Sequence, residues 1–385
     1  MPPCPIPHVM IAPMLKGKKR LLGLMTVILF LGAGPGRAYF TRGANTGIGA
    51  SSPRALGMGG AFVAVSDDSA AVFWNPAGAV LASPGEFSLA YASLFNDKIA
   101  QLASSLIVGS GGVALGLAME RMDYGDLLTV DSSGGAFGRV SLYESEYLLA
   151  VSAALDGDRR LLVGGALKLY SVDYGSIASA SGQGMDVGVL YRFGLGKAGR
   201  ELRIGASLSD IGSSLESDRG YTQDISSVLR MGLAFYVAED ALISYERATI
   251  TDESFSSGST SSNHFGCEVP VVRELLLIRA GYSKSGGSSE GRFSYGGGVR
   301  RQGISFDYTF AEGIYNLGDT HRFGCSLRFG SLNILQGFGE EFVMGEFYPV
   351  PGKPPDPKRW VLYEIEPSYY YRDLMERNAE AGGKR

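Results

Sequence analysis

Charge, cysteine and histidine are all scarce in this chain, and each scarcity removes a class of function. Charged residues make up 19% of the 385 positions, against roughly 25% in ordinary soluble domains. The 39 acidic and 35 basic residues nearly cancel, to a net charge of −4, so the concentrated basic surface that nucleic-acid binding needs is missing. Three cysteines, Cys4, Cys267 and Cys325, are too few for a disulfide framework, and no Cys-x-x-Cys occurs to suggest a metal or redox centre. The histidines are His8, His264 and His321, with no His-x-x-x-His pair and no nucleophile elbow. His264, near Glu268 on an inward row, could join a serine in hydrolysis; a hydrogen-bonded structural histidine is the simpler reading. Gly57-x-Gly59 lacks the third glycine and the preceding strand of a dinucleotide fingerprint. The chain is therefore expected not to be an enzyme and to carry no cofactor and no metal.

Long apolar runs are missing too. Beyond the N-terminus nothing approaches the 18 consecutive apolar residues of a spanning helix. The compact apolar stretch Leu21 to Ala33 follows Lys16, Lys18, Lys19 and Arg20 and precedes Gly36-Arg37-Ala38, the order of a secretory signal peptide with its cleavage site. It is too short for a bilayer, which takes roughly 20 residues. Residues 1–38 are thus expected to be a signal peptide, with translation starting either at Met1 or, because residues 1–13 are Pro-rich, at Met14. An exported chain without a spanning helix is periplasmic, secreted or an outer-membrane barrel.

What the sequence has in abundance is glycine, 55 residues, about twice the usual ~7% share, and short segments that alternate with period two. Ile304, Phe306, Tyr308 and Phe310 share one face of a strand, and Ser305, Asp307 and Thr309 the other. Leu229 to Val237, Val187 to Phe193 and Phe323 to Phe329 alternate likewise. Opposite the apolar rows stand Gly, Ser and single Arg residues, which suits a confined lumen with lipid outside better than an open aqueous surface. Cys267 and Cys325 fall on apolar rows and read as small lipid-facing hydrophobes. Strands are expected near residues 87–95, 99–108, 112–121, 140–154, 160–172, 183–195, 200–211, 227–238, 240–250, 261–270, 274–284, 291–301, 303–311 and 319–329.

That count predicts the fold class: all-β, a transmembrane antiparallel β-barrel of about 14 strands with an N-terminal lumenal plug. Short turns such as Gly109 to Gly111 and Arg301-Gln302 interleave with longer loops, Met122 to Arg139, Asp173 to Gly182, Gly212 to Ser226 and Thr251 to Thr260, as periplasmic turns and extracellular loops do. The first outer connection, Asn96-Asp97, is tight. The domains are then a signal peptide (1–38), a plug (39–85), the barrel (86–329) and a Pro-rich periplasmic tail (330–385). Inward rows carry Arg192, Arg203, Arg230, Arg279, Arg292, Arg300, Arg322 and Arg328 against Asp186, Glu246, Glu268 and Asp307. These lumen charges either attract a carboxylate-bearing amphiphile or pair with one another and with Asp67 and Asp68, since buried charges must be paired.

Residues 54–78 read RALGMGGAFVAVSDDSAAVFWNPAG. Gly57, Gly59 and Gly60 permit tight or left-handed backbone, Asp67-Asp68-Ser69 reads as a helix start, and Asn75-Pro76 as the turn that stops it. The Arg-Ala-x-Gly-Met-Gly-Gly-Ala run, the Asp-Asp pair and the Asn-Pro-Ala-Gly turn resemble the N-terminal signature of the PorV/PorQ family, itself related to the outer-membrane long-chain fatty-acid transporters. The resemblance implies a fourteen-stranded outer-membrane barrel with a lumenal hatch, to which Asn75, Pro76 and Ala77 would belong. It also leaves two functions open: passive transport of hydrophobic or amphipathic small molecules, or an accessory role in protein secretion or surface attachment. The partners implied are outer-membrane lipid, a hydrophobic small-molecule ligand, or a secreted or periplasmic protein, around a monomeric barrel.

Overall fold

A computed structural model describes residues 52–329, apart from position 83 and the connections 95–98, 131–135, 176–177, 197–199, 239–240, 252–257, 273–274, 287–289 and 314–317. The signal peptide, the first part of the expected plug, the tight Asn96-Asp97 turn and the tail lie outside the described residues.

The strands are β1 (Gly85–Leu94), β2 (Ile99–Ser110), β3 (Val113–Val130), β4 (Ala136–Ala154), β5 (Leu161–Asp173), β6 (Ser179–Gly194), β7 (Glu201–Ser217), β8 (Thr222–Asp224), β9 (Ser227–Ala238), β10 (Ala241–Thr251), β11 (Ser259–Val272), β12 (Leu276–Ser285), β13 (Gly291–Arg301), β14 (Ile304–Ala311) and β15 (Thr320–Phe329). Each pairs antiparallel with its neighbour in sequence, except that β7 pairs directly with β9 and the three-residue β8 only edges β7. The ring closes where β1 meets β15, from Gly85↔Phe329 to Ser93↔His321. Fourteen strands form the all-β closed antiparallel barrel. Both of its chain ends, Gly85 and Phe329, therefore lie at one rim.

Alternation sorts the side chains as the pleat requires. Leu117 is 55% exposed and its neighbour Ala118 8%; Leu167 is 59% exposed and Ala166 3%. Outward rows of Leu, Val, Ile, Phe and Tyr are costly in water but favourable against hydrocarbon. Leu117→Arg on this face is expected to cost about 2–4 kcal/mol if it lies near the bilayer midplane. The check is the temperature at which the compact, heat-modifiable gel band is lost, which should fall.

At the rim carrying the chain ends the turns are short. Gly111 and Gly112 both have positive φ (61° and 87°), as a two-residue type I′ hairpin demands. At the opposite rim the expected loops are partly strand. β3 and β4 stay paired from Asp126↔Ser141 up to Val130↔Ala136, so most of Met122 to Arg139 is a hairpin. β6 begins at Ser179, and β7 runs on to Ser217 through a register shift near Asp210 (φ 60°). The reason is hairpin geometry: once two strands are paired, backbone hydrogen bonds continue the ladder without an alternating side-chain pattern. At 16–19 residues, β3, β4, β6 and β7 are longer than the roughly 9–11 residues that crossing a bilayer takes.

Candidate functional site: the filled barrel interior

Residues 52–82 pack against the inward faces of the strands. They form α1 (Pro53–Gly57), α2 (Ala71–Trp74) and a 3-10 helix (Pro76–Leu81). Ser52 caps α1, its hydroxyl accepting from Ala55 N at 3.2 Å. Toward β2–β6 the contact is apolar: Ala71, Val72, Ala77, Ala79 and Val80 bury against Ile107, Leu148, Ala150, Leu162 and Leu190.

The wall meets this segment with glycine. A Cβ on Gly164 would lie 2.5 Å from Ala77 N, on Gly188 2.0 Å from Asn75 Oδ1, on Gly205 2.4 Å from Val63 O, and on Gly281 1.9 Å from Gly59 N. Only a residue without a side chain lets the two backbones approach so closely. Gly59 itself has φ +67°, and a Cβ there would meet Tyr282 N at 2.7 Å. The glycine excess is in good part this seat.

Asn75, Pro76 and Ala77 form the expected stop. Asn75 is extended, its Oδ1 accepts from Ala77 N at 3.2 Å, and its Nδ2 donates to Val63 O (2.8 Å) and to Val189 O of β6 (3.1 Å). Pro76 opens the 3-10 helix, where a missing N–H costs nothing. The expectation that Asp67-Asp68-Ser69 starts a helix needs correction. α2 is a single turn with Ala70 at its cap and no side-chain cap bond. Although Asp68 Oδ1 accepts from Ala70 N at 3.0 Å, both acids are turned to Arg54.

Arg54 is the hub of the polar side. It donates to Asp67 (2.6 Å), Asp68 (2.9 Å) and both oxygens of Glu268 on β11 (2.8 and 2.9 Å), and lies over the Phe62 ring. Glu268 also receives Arg279 at 2.5 Å, and Arg279 reaches Asp307 at 2.5 Å. Asp67 is held as well by Arg203 (3.0 Å) and the Tyr236 hydroxyl (2.8 Å). Glu86 accepts from Ser69 N (2.9 Å) and Arg328 (2.7 Å). Glu246 accepts from Phe62 N and Val63 N at 2.9 and 2.8 Å. His264 lies across from Glu246 rather than beside Glu268. Its ring bridges Gly59 O (2.7 Å) and the Ser262 hydroxyl (2.8 Å), so it ties the segment to β11.

Among the other predicted lumen charges, Arg192 pairs with Glu201 at 2.6 Å, and Arg230 stands 4.0 Å from Glu246 and over Trp74. Arg292 and Arg322 face inward without an ion pair among the described residues. Arg54, Glu86 and Lys168 were not singled out from sequence. Lys168, on β5, sits 2.9–3.3 Å from Glu146, Asp186 and Asp210. Its parity with Ala166 and Tyr170, opposite Leu167 and Leu169, was the available signal.

Burial pushes the Asp67 carboxyl up, but the guanidiniums of Arg54 and Arg203 outweigh it and hold Asp67 well below the usual carboxylate range. Burial pushes Asp68 up to about 6 against the pull of Arg54, with Glu86 and Asp67 adding to the rise. A cavity of about 50 Å³ adjoins this cluster, lined in part by Arg54, Asp68, Ser69, Glu86, Ser88 and Ser105, with room for a few waters. Because the native pKa of Asp68 exceeds its unfolded value near 3.9, docking of the segment gains from Asp68 in full below about pH 4. It loses that gain as pH rises through about 6, by roughly 2–3 kcal/mol. Asp67 acts oppositely, contributing above about pH 4 and losing its contribution below. Single-channel recordings should show more openings at pH 7.5 than at pH 5, and Asp68→Asn should make the two alike. More openings at pH 5 would contradict this assignment.

No protein-family model matches the sequence, and no curated protein does. Solved structures match it in fold. The toluene transporter TbuX of Ralstonia pickettii is 11% identical, with 71% of this chain and 96% of that one covered and a TM-score of 0.50. The P. putida toluene transporter TodX is 12% identical, with 72% and 98% covered and a TM-score of 0.50. A Pseudomonas aeruginosa FadL homologue is 12% identical, with 72% and 97% covered and a TM-score of 0.49. The barrel of this chain is thus similar in fold to the toluene transporters over nearly their whole length.

Proposed function

We propose that the protein is an integral barrel of the bacterial outer membrane that passes hydrophobic or amphipathic small molecules, with residues 39–85 as a plug that must move. In this reading residues 1–38 direct export, the barrel is monomeric in lipid, and residues 330–385 form the periplasmic tail. One observation carries it. Where the long strands rise, at the rim away from the chain ends, the inward residues turn apolar: Leu142, Tyr170, Val172, Leu215 and Ile225 bury together, with Tyr124 and Tyr174 against them. A water-filled pore lines its mouth with polar side chains; an apolar mouth concentrates apolar solutes before they meet the plug. The fold likeness to toluene transporters agrees with this.

The test is the initial uptake rate of labelled toluene and decanol by cells that do or do not express the protein. Expression should raise the rate, and Leu142→Asp with Leu215→Asp should lower it at least fivefold while the folded gel band persists. Equal rates with and without the protein would end this reading. The role suggested by the PorV/PorQ resemblance, holding secreted cargo, rests on residues 54–78 and predicts a secreted or periplasmic protein that co-purifies with the full chain.

A further inference from the structure

On the outer face of β10–β12 the apolar rows end in a line of hydrogen-bond donors. Arg247 on β10 pairs in register with Asn263 on β11, and Asn263 pairs with Lys284 on β12. All three stand on outward rows, each directly above a ring: Tyr245, Phe265 and Tyr282 precede them on the side of the chain-end rim. Directly paired residues hold their Cβ atoms about 4.5–5.5 Å apart, so a group seated over Asn263 is within reach of both long cations. Arg247 and Lys284 are exposed, and neither has an ion pair among the described residues. Lys284 pairs on its other side with Gly291, which brings no side chain. Asn263 completes the row. The Tyr245 hydroxyl donates to its Oδ1 at 2.8 Å, which leaves the amide Nδ2 to donate to an acceptor outside the wall.

What lies below and above the row narrows the partner. Below it the rings form an apolar surface: Tyr245 and Phe265 have centroids 5.0 Å apart, as do Tyr282 and Phe293, and Phe265 is 50% exposed. Above it the Thr249 and Ser261 hydroxyls lie 3.0 Å apart. Two cations without counter-charge at the edge of an apolar surface complement an anion that carries apolar chains. Arg121 on β3 gives the contrast. It too points outward, but it lies 4.2 Å over the Tyr143 ring, and its register partners, Leu102 and Ser145, bring no second cation.

We infer that Arg247, Asn263 and Lys284 bind the phosphate of a lipid of the outer leaflet, whose acyl chains lie along the rings of Tyr245, Phe265 and Tyr282. This rests on the outer-membrane reading of the barrel and is independent of uptake. Phosphate oxygens accept charge-assisted hydrogen bonds from the guanidinium and the ammonium, and one more from the amide. The row's place away from the chain-end rim selects the outer leaflet. A free phosphate would gain the donors and lose the ring contacts.

The experiment measures binding of diphosphoryl lipid A, and of the same lipid with both phosphates removed, to the full-length barrel in dodecyl maltoside micelles by native mass spectrometry, alongside membrane fractionation of the expressing cells. Wild type should prefer the phosphorylated lipid at least about tenfold, since each exposed charge contact is worth up to about fivefold. Arg247→Gln and Lys284→Gln should each shrink that preference, the double variant should abolish it, and Arg247→Lys, which keeps the charge, should retain most of it. Arg121→Gln should change nothing. None of these variants breaks an ion pair among the described residues, so the heat-modifiable band should survive in all. Equal binding of the two lipids by wild type, an undiminished preference in the double variant, or an equal loss in Arg121→Gln overturns the phosphate row and leaves the outer-membrane barrel standing. A chain that does not fractionate with the outer membrane overturns both.

Discussion

Arg54→Met is expected to release residues 52–82 from the wall and turn a closed barrel into one that conducts. The change strips Asp68 of its ion-pair partner and takes one of the guanidiniums from Asp67 and Glu268, which keep Arg203 and Arg279. Removing one member of a buried ion network costs about 3–5 kcal/mol when a charge, here that of Asp68, is left uncompensated. The ratio of docked to undocked segment should drop by roughly a hundredfold to a few thousandfold. Planar-bilayer recordings read this as frequent large openings. The barrel strands keep their own ladders, so the folded gel band should remain. Adding Asp68→Asn should restore part of the closure, since the stranded charge is then gone. Recordings of Arg54→Met that match wild type would show that the network does not hold the segment.

Gly164→Leu and Gly165→Leu should give opposite results, although the positions are adjacent. A Cβ at Gly164 points at Ala77 N from 2.5 Å, while at Gly165 the nearest atom is Asp186 O at 3.4 Å. Leucine at 164 occupies the place of the 3-10 helix, and backbone cannot yield as a flexible side chain would, so the cost should exceed the usual 1–3 kcal/mol of overpacking. The segment should be expelled and conductance should rise. Leucine at 165 points outward from the barrel and should leave conductance unchanged. The same outcome for both would contradict the alternation of inward and outward rows on β5.

The barrel was legible because its signal is local. In Ile304 to Phe310 every second residue is large and apolar, and that is all a strand between lipid and lumen needs. The last strand ends at Phe329 as expected, and the even strand count holds. The upper parts of β3, β4, β6 and β7 were not legible, because there pairing follows from the hairpin below and the sequence between Met122 and Arg139 carries no period. The site divides in the same way. Asn75 declared itself through Asn-Pro, a turn signal two residues long. The destination of Asp67 and Asp68 did not, because Arg54 joins them to Glu268 across 214 residues of sequence, and periodicity carries no information about such a partner. The inward arginines were recognisable by parity, but their counter-charges depended on which strands lie side by side, as β6 and β7 do for Arg192 and Glu201 and β12 and β11 for Arg279 and Glu268.

The most direct measurement locks the segment in place. The hydroxyls of Ser69 and Ser88 lie 2.8 Å apart, one on the segment and one on β1, close enough for a disulfide. In a chain with Cys267→Ser and Cys325→Ser, the pair Ser69→Cys and Ser88→Cys should form that bond on oxidation. Uptake of labelled decanol by cells should then fall to the rate of cells lacking the protein, and dithiothreitol should restore it. Uptake that continues undiminished with the bond formed would show that molecules do not pass by way of the segment, and would contradict a plug-gated channel.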